Sequence, residues 1–219
     1  MTHPTLFRLR HTAVYSILSS VILAGGLFLG SELHNPAPDA TGWRIIVDVL
    51  AALLAILIIG ALWGLGIAIF NGLNMRDLSI AGAKSWGLTT FIFMILLEVL
   101  NAFHVPMSIA VGVSRHFIFT VAFVIAIFII TAVATRGMVR AMGRDEVSTA
   151  AALLSGLAAA GTWLLINLIM LSQGWELGRW MGGRSVMMTV TLYGLWGAAF
   201  AGGAAMGWVL TRKGQHEGP

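Results

Sequence analysis

Residues 49–70 read VLAALLAILIIGALWGLGIAIF, an apolar run with no charged or amide side chain between Asp48 and Asn71. Wound as a helix at about 1.5 Å per residue, it reaches about 33 Å, enough for the ~30 Å hydrocarbon core of a bilayer. A membrane strand alternates polar and apolar residues, and this run does not alternate. Outward from it, the gaps between strongly polar residues give five further stretches, at about 12–31, 85–103, 117–135, 147–172 and 185–211. The stretch 85–103 is interrupted by Glu98 and Asn101, and the stretch 147–172 contains Asn167.

Composition agrees with this reading. The chain has 219 residues, of which 58% are hydrophobic and 10% charged, with a mean hydropathy of +0.89. Soluble domains carry about 25% charged residues, so a water-facing surface cannot be built from this sequence. Disorder is excluded too, because it needs low hydrophobicity and high charge. The absence of cysteine removes disulfides, thiolate-held metal centres and thiol catalysis. The expected fold is an all-α integral membrane protein, a six-transmembrane-helix bundle forming one polytopic domain over residues 1–213. Residues 214–219 are expected to be a flexible tail.

The first stretch is expected to be retained. Its apolar run exceeds a signal-peptide core of about 7–15 residues, and no Ala-x-Ala site precedes Glu32. Basic residues orient the whole. Arg8, Arg10, Arg76, Lys84, Arg136, Arg140, Arg144, Arg212 and Lys213 fall on one side, against Arg44, Arg115, Arg179 and Arg184 on the other. The richer side is expected to be cytoplasmic and to hold both termini, in a prokaryotic-type inner membrane. Trp43, Trp175 and Trp180 then form an outer aromatic belt, and Trp86 and Trp208 an inner one. The high isoelectric point, about 10.3, follows from residues flanking the spans and answers anionic lipid; no nucleic-acid motif accompanies it.

Three small-residue pairs, Gly26 with Gly30, Gly60 with Gly64 and Gly203 with Gly207, put glycines on one helical face. Such faces let backbones approach, within the chain or between copies or subunits. Gly194, Ala198 and Gly202 form a second small stripe on the last span, whereas the third span, rich in Phe, Met and Leu, is expected at the bundle edge or against a partner. The equal spacing of Arg76, Arg144 and Arg212 would suit a triplicate of helical hairpins. Equal span lengths with cytoplasmic basic ends would give the same spacing.

Glu98 is the sharpest polar feature, since an acid inside hydrocarbon must be neutralised, paired or set in a polar cavity. Asn101, three residues on, shares its helical face. With Asn167 and Asp48 these residues are the candidate substrate- or ion-binding set. His104 and His116 are weak candidates for metal or haem ligation, since both sit at the outer boundary of their spans. Neither a metal, a haem nor a pigment is expected. Arg136, Arg140 and Arg144, every fourth residue, would form a basic ridge facing lipid or a partner if the helix continued.

Enzyme chemistry is the less favoured class. Ser155-Gly156 in the fifth span has no histidine on the sixth to act as base, and there is no His-Glu-x-x-His or Walker sequence. His34-Asn35-Pro36-Ala37 echoes an aquaporin half-loop but occurs once and in the wrong place. The expected function is membrane transport of a small solute or ion, alone or as the substrate-binding membrane component of a multi-protein transporter. The alternative is a non-catalytic integral-membrane subunit of a respiratory or photosynthetic complex that contacts lipid, quinone or pigment.

Overall fold

The computed structural model describes residues 4–25, 42–96, 99, 115–172 and 184–213. Among these, everything outside two short turns, 72–74 and 142–144, is helical. Helix α1 (Pro4–Leu18) runs directly into a π turn (Ser19–Leu23). Helix α2 is Gly42–Asn71, α4 is Arg115–Ala141, α5 is Asp145–Ser172 and α6 is Arg184–Lys213. Helix α3 (Met75–Leu96) carries a second π turn at Ala83–Leu88. Four helical stretches among the described residues are long and apolar enough to cross a membrane: Gly42–Asn71, Met75–Leu96, Thr120–Ala141 and Asp145–Ile169.

The two turns share one chemistry. Gly72 and Gly143 both have positive φ, 64° and 75°. In each, two amides reach back to close the preceding helix: Gly72 and Leu73 donate to the carbonyls of Ile69 and Ala68, and Gly143 and Arg144 to those of Arg140 and Val139. This is the Schellman arrangement, which needs a residue without Cβ at the left-handed position. The equivalent positions are therefore Gly72 and Gly143, not Arg76 and Arg144. Arg76 lies inside α3, Arg144 before α5 and Arg212 near the end of α6, so their even spacing marks no structural repeat.

Helix α3 begins ten residues before the hydropathy boundary at 85. Asn74 caps it, its Oδ1 accepting the amides of Arg76 at 3.0 Å and Asp77 at 3.5 Å. Capping and propensity, not apolarity, set where a helix starts; the polar turns of α3 are helical even though they are not hydrophobic. Likewise α2 reaches back to Gly42 and α4 runs on to Ala141, while α5 and α6 begin and end within two residues of their hydropathy limits.

Helix α1 packs on α2 and α6, α3 on α2 and α4, and α5 on α4 and α6, so the helices close a cycle. Contacts fix the directions. Gly203 faces Tyr15 and Ser19, and Gly207 faces His11 and Thr12, so α6 runs against α1. The Asn71 amide donates to the Tyr15 hydroxyl at 2.9 Å, and the Arg144 guanidinium donates to the Leu210 carbonyl at 3.3 Å. The start of α1, both turns and the end of α6 thus gather at one end of the bundle.

Packing is small-to-small where helices cross closest. A Cβ on Gly82 would run into the Gly60 carbonyl, and one on Gly64 into that of Leu78. The Gly60/Gly64 and Gly203/Gly207 faces are thus filled by this chain's own helices, and Gly194, Ala198 and Gly202 face Trp163 and its neighbours on α4 and α5. Gly26 and Gly30 lie outside the described residues. Helix α3 is not merely an edge helix: its Gly82 and Gly87 fit against α2, and Gly82 lies in a turn that hydropathy leaves outside the span. The interior holds Tyr15, Ile56, Trp63, Ile67, Trp86 and Met138, all essentially inaccessible. Leu50, Leu54, Ile58, Leu62 and Ile69 form an exposed stripe along α2, as do Leu153, Leu157, Leu165 and Leu168 on α5. Such apolar outer faces suit hydrocarbon, not water.

A candidate site between two π turns

A π turn inserts one residue into a helix, breaks its regular ladder and re-aims the side chains on it, and such turns recur at functional sites. Both π turns here open on the same place. Ser19 and Leu23 from the first and Trp86 from the second line one interior cavity of about 40 Å³, with Trp63 of α2 and Thr131 and Thr135 of α4. Residues of α6, among them Gly202 and Gly203, add to the lining.

Ser19 is wedged in position. A Cβ on Gly203 would come within 2.7 Å of the Ser19 Oγ, so only glycine lets α6 approach there. From the other side, the Trp63 Nε1–H donates to the Ser19 Oγ at 3.3 Å. Thr131 and Thr135 lie four residues apart on one face of α4. The cavity is therefore apolar with a few hydroxyls, and among the described residues no titratable side chain lines it. Its volume accommodates about one water molecule, which needs two or more polar partners. It can stabilise water or a small neutral group by hydrogen bonding, but these residues supply no charge.

Elsewhere among the described residues, Thr90 Oγ1, Ser155 Oγ and Asn167 Nδ2 are buried polar atoms with no hydrogen-bond partner. Leaving such a group unpaired costs about 1–3 kcal/mol. Asn167 is 3% exposed and sits 22 residues along α5 from Asp145, about 33 Å by helical rise.

Two of the expected binding residues, Asn167 and Asp48, are described. Asn167 is buried on α5, and Asp48 is half-buried near the start of α2. These helices are not neighbours in the cycle. Glu98, Asn101 and His104 lie outside the described residues, and of His116 only its place in the first turn of α4 is described. Among the described residues no group of three metal-ligating side chains occurs. The three arginines do not make one ridge. Helix α4 stops at Ala141, so Arg144 leaves its face and caps α6 through Leu210, while Arg140 pairs with Asp145 at 2.8 Å. Arg136 stays exposed on α4. Of the two inner-belt tryptophans, Trp208 is exposed with the Arg212 guanidinium 5.1 Å above its ring. Trp86 belongs instead to the core, at 2% exposure; α3 starts earlier than hydropathy suggests, which carries residue 86 into the bundle.

Ser19, Trp63, Thr131 and Thr135 escape a search for charged groups. Two signals mark them: a tryptophan in mid-run, away from either interface, and a Thr-x-x-x-Thr pair on an otherwise apolar span. No protein-family model, curated protein or solved structure matches the chain.

Proposed function

We propose that the protein carries a small solute or ion across a membrane, along a route through the centre of its helix cycle. The observation that supports this reading is the cavity bounded by both π turns, with hydroxyls in an otherwise apolar interior. At about 40 Å³ it is a narrow point on that route, with Trp63 and Trp86 as the bulky side chains that would have to move. In this reading the chain crosses a prokaryotic-type inner membrane six times, with both termini cytoplasmic. Glu98 is the binding or coupling acid, with Asn101, Asn167 and Asp48 as polar companions on the outer approach. An ionisable residue at membrane depth is costly, and ion and proton paths are among the sites where such acids occur.

Flux tests the proposal. In proteoliposomes, solid-supported-membrane currents are recorded with sodium, potassium, ammonium and proton gradients, and light scattering follows urea and glycerol. At least one probe should move faster than in empty vesicles, and Glu98→Gln should abolish that movement or its pH dependence. No movement of any probe, or flux unchanged by Glu98→Gln at every pH, contradicts the account.

A second reading is a non-catalytic subunit of a larger membrane complex. It is favoured by a shallow outer groove where Gly197, Ala201 and Ala204 of α6 lie between Trp196, Phe200 and Thr162. Such a groove suits a lipid tail, a quinone, a pigment or a neighbouring helix. Co-migration with a large coloured assembly in mild detergent would favour it; a colourless monomer or small homo-oligomer favours the carrier.

A further inference from the structure

Lys84 and Arg136 lie inside two of the apolar helical stretches, Met75–Leu96 and Thr120–Ala141, and both are exposed. A contact between α3 and α4 fixes their relation. A Cβ on Gly137 would meet the Ser85 side chain, its Cβ at 2.5 Å and its Oγ at 3.0 Å. The Ser85 hydroxyl also donates to the Ala81 carbonyl at 2.5 Å and reaches the Ala134 carbonyl across the seam at 3.5 Å. Ser85 and Gly137 therefore face each other at one level.

The two helices run in opposite directions, because α3 leaves the end of the bundle that holds the turns and α4 returns to it. In right-handed helices, the residue preceding each facing position is rotated by about 100°, and for antiparallel partners the two rotations fall on the same side of the seam. Lys84 precedes Ser85, and Arg136 precedes Gly137. The two cations thus stand beside each other on one outer flank, at one height. Arg136 is five residues, about 7.5 Å, from the end of α4.

Neither has an answering carboxylate among the described residues. Asp145 holds Arg140, Arg144 is turned to the Leu210 carbonyl, and Asp77 lies seven residues, about 10 Å, before Lys84. Two adjacent cations on an apolar flank repel each other and are poorly solvated unless an anion lies between them. The available anion at that height is the phosphodiester of a lipid in the surrounding leaflet, and basic clefts between membrane helices on the cytoplasmic side suit such groups. A guanidinium offers paired donors to phosphate oxygens and an ammonium a point charge.

We infer that Lys84 and Arg136 clamp the phosphate of an anionic phospholipid on the α3–α4 flank. The inference is independent of whether the protein carries a solute. It also assigns the exposed Arg136 a partner residue, Lys84, on another helix.

Native mass spectrometry of the full chain in detergent, with equimolar phosphatidylglycerol and phosphatidylcholine, tests this. The wild type should retain phosphatidylglycerol preferentially, and Lys84→Gln and Arg136→Gln should each lower the preference about fivefold. Lys84→Arg should keep it, and Arg212→Gln, on a remote helix at the same end, should leave it unchanged. If Arg136→Gln does not fold, the comparison of Lys84→Gln with Lys84→Arg decides. An unchanged preference in Lys84→Gln, or an equal loss in Arg212→Gln, overturns the clamp. Inorganic phosphate that binds without lipid and displaces phosphatidylglycerol would make the ligand a free anion and overturn the lipid assignment.

Discussion

The indole N–H of Trp63 donates to the hydroxyl of Ser19 at 3.3 Å, a buried bond that joins α2 to the π turn of α1 beside the cavity. It ties the tryptophan ring to α1, at the crossing with α6 where a Cβ on Gly203 would run into Ser19. A substitution that strands one partner should cost more than one that removes the need for the bond. Ser19→Ala leaves a buried donor unpaired and should lower stability by about 1–3 kcal/mol. Ser19→Ala combined with Trp63→Phe should lose no more than Trp63→Phe alone. Thermal unfolding in detergent checks this, and full additivity would deny the coupling.

Gly82 and Gly161 make a matched pair of opposite expectations. A methyl at Gly82 meets the Gly60 carbonyl, whereas one at Gly161 meets nothing within 4 Å. Gly82→Ala should force α2 and α3 apart and cost about 1–3 kcal/mol, the range for overpacking. Gly161→Ala should be neutral or gain up to about 1 kcal/mol through helix propensity. Melting temperatures by size-exclusion thermostability would fall in the first and hold or rise in the second.

The turns respond to backbone conformation. Gly143 has open space around it but a φ of 75°, so Gly143→Ala should cost about 1–2 kcal/mol from strain alone. Asn74→Ala, which removes the cap on α3, should cost about 1 kcal/mol. Limited proteolysis should show earlier cleavage at each turn in its own variant and not at the other.

The Arg140–Asp145 pair is half to three-quarters exposed, at 51% and 77%. Solvent screens such a pair, so Asp145→Asn should change stability by less than about 0.5 kcal/mol. A loss comparable to that of Gly82→Ala would mean that the pair anchors the turn. Equilibrium melting at low and high salt separates these outcomes.

Much of this fold is legible in the sequence because hydrocarbon imposes long apolar runs and the turns need glycine where φ is positive. The run from Val49 to Phe70 and the glycines at 60, 64, 203 and 207 announce both the helices and their contacts. The start of α3 is not legible in hydropathy, which reads the solvent around a helix and not its hydrogen bonds. That one boundary hides Gly82 and places Trp86 at an interface instead of in the core. Gly143 in the run after Arg136 carries the warning that three arginines four apart would not stay on one helix. The cavity is harder to read than an acid. Ser19, Thr131 and Thr135 are ordinary residues for a membrane helix, and only the two π turns and the crossing at Gly203 bring them around one space. Asn167 is legible as a buried polar group, while its relation to Asp48 depends on which helices are neighbours.

The most direct test of the central claim uses the absence of native cysteine. Thr131→Cys and Thr135→Cys, which line the cavity, are compared with Leu157→Cys on the exposed apolar face of α5. Each variant is treated with a small water-soluble methanethiosulfonate in sealed vesicles, where only thiolate in contact with water reacts. If the cavity lies on a solute route, Thr131→Cys and Thr135→Cys should react from at least one side about tenfold or more faster than Leu157→Cys, whose thiol faces a medium that disfavours charge. Labelling of both as slow as that of the lipid-facing position would contradict a central path and leave a sealed interior.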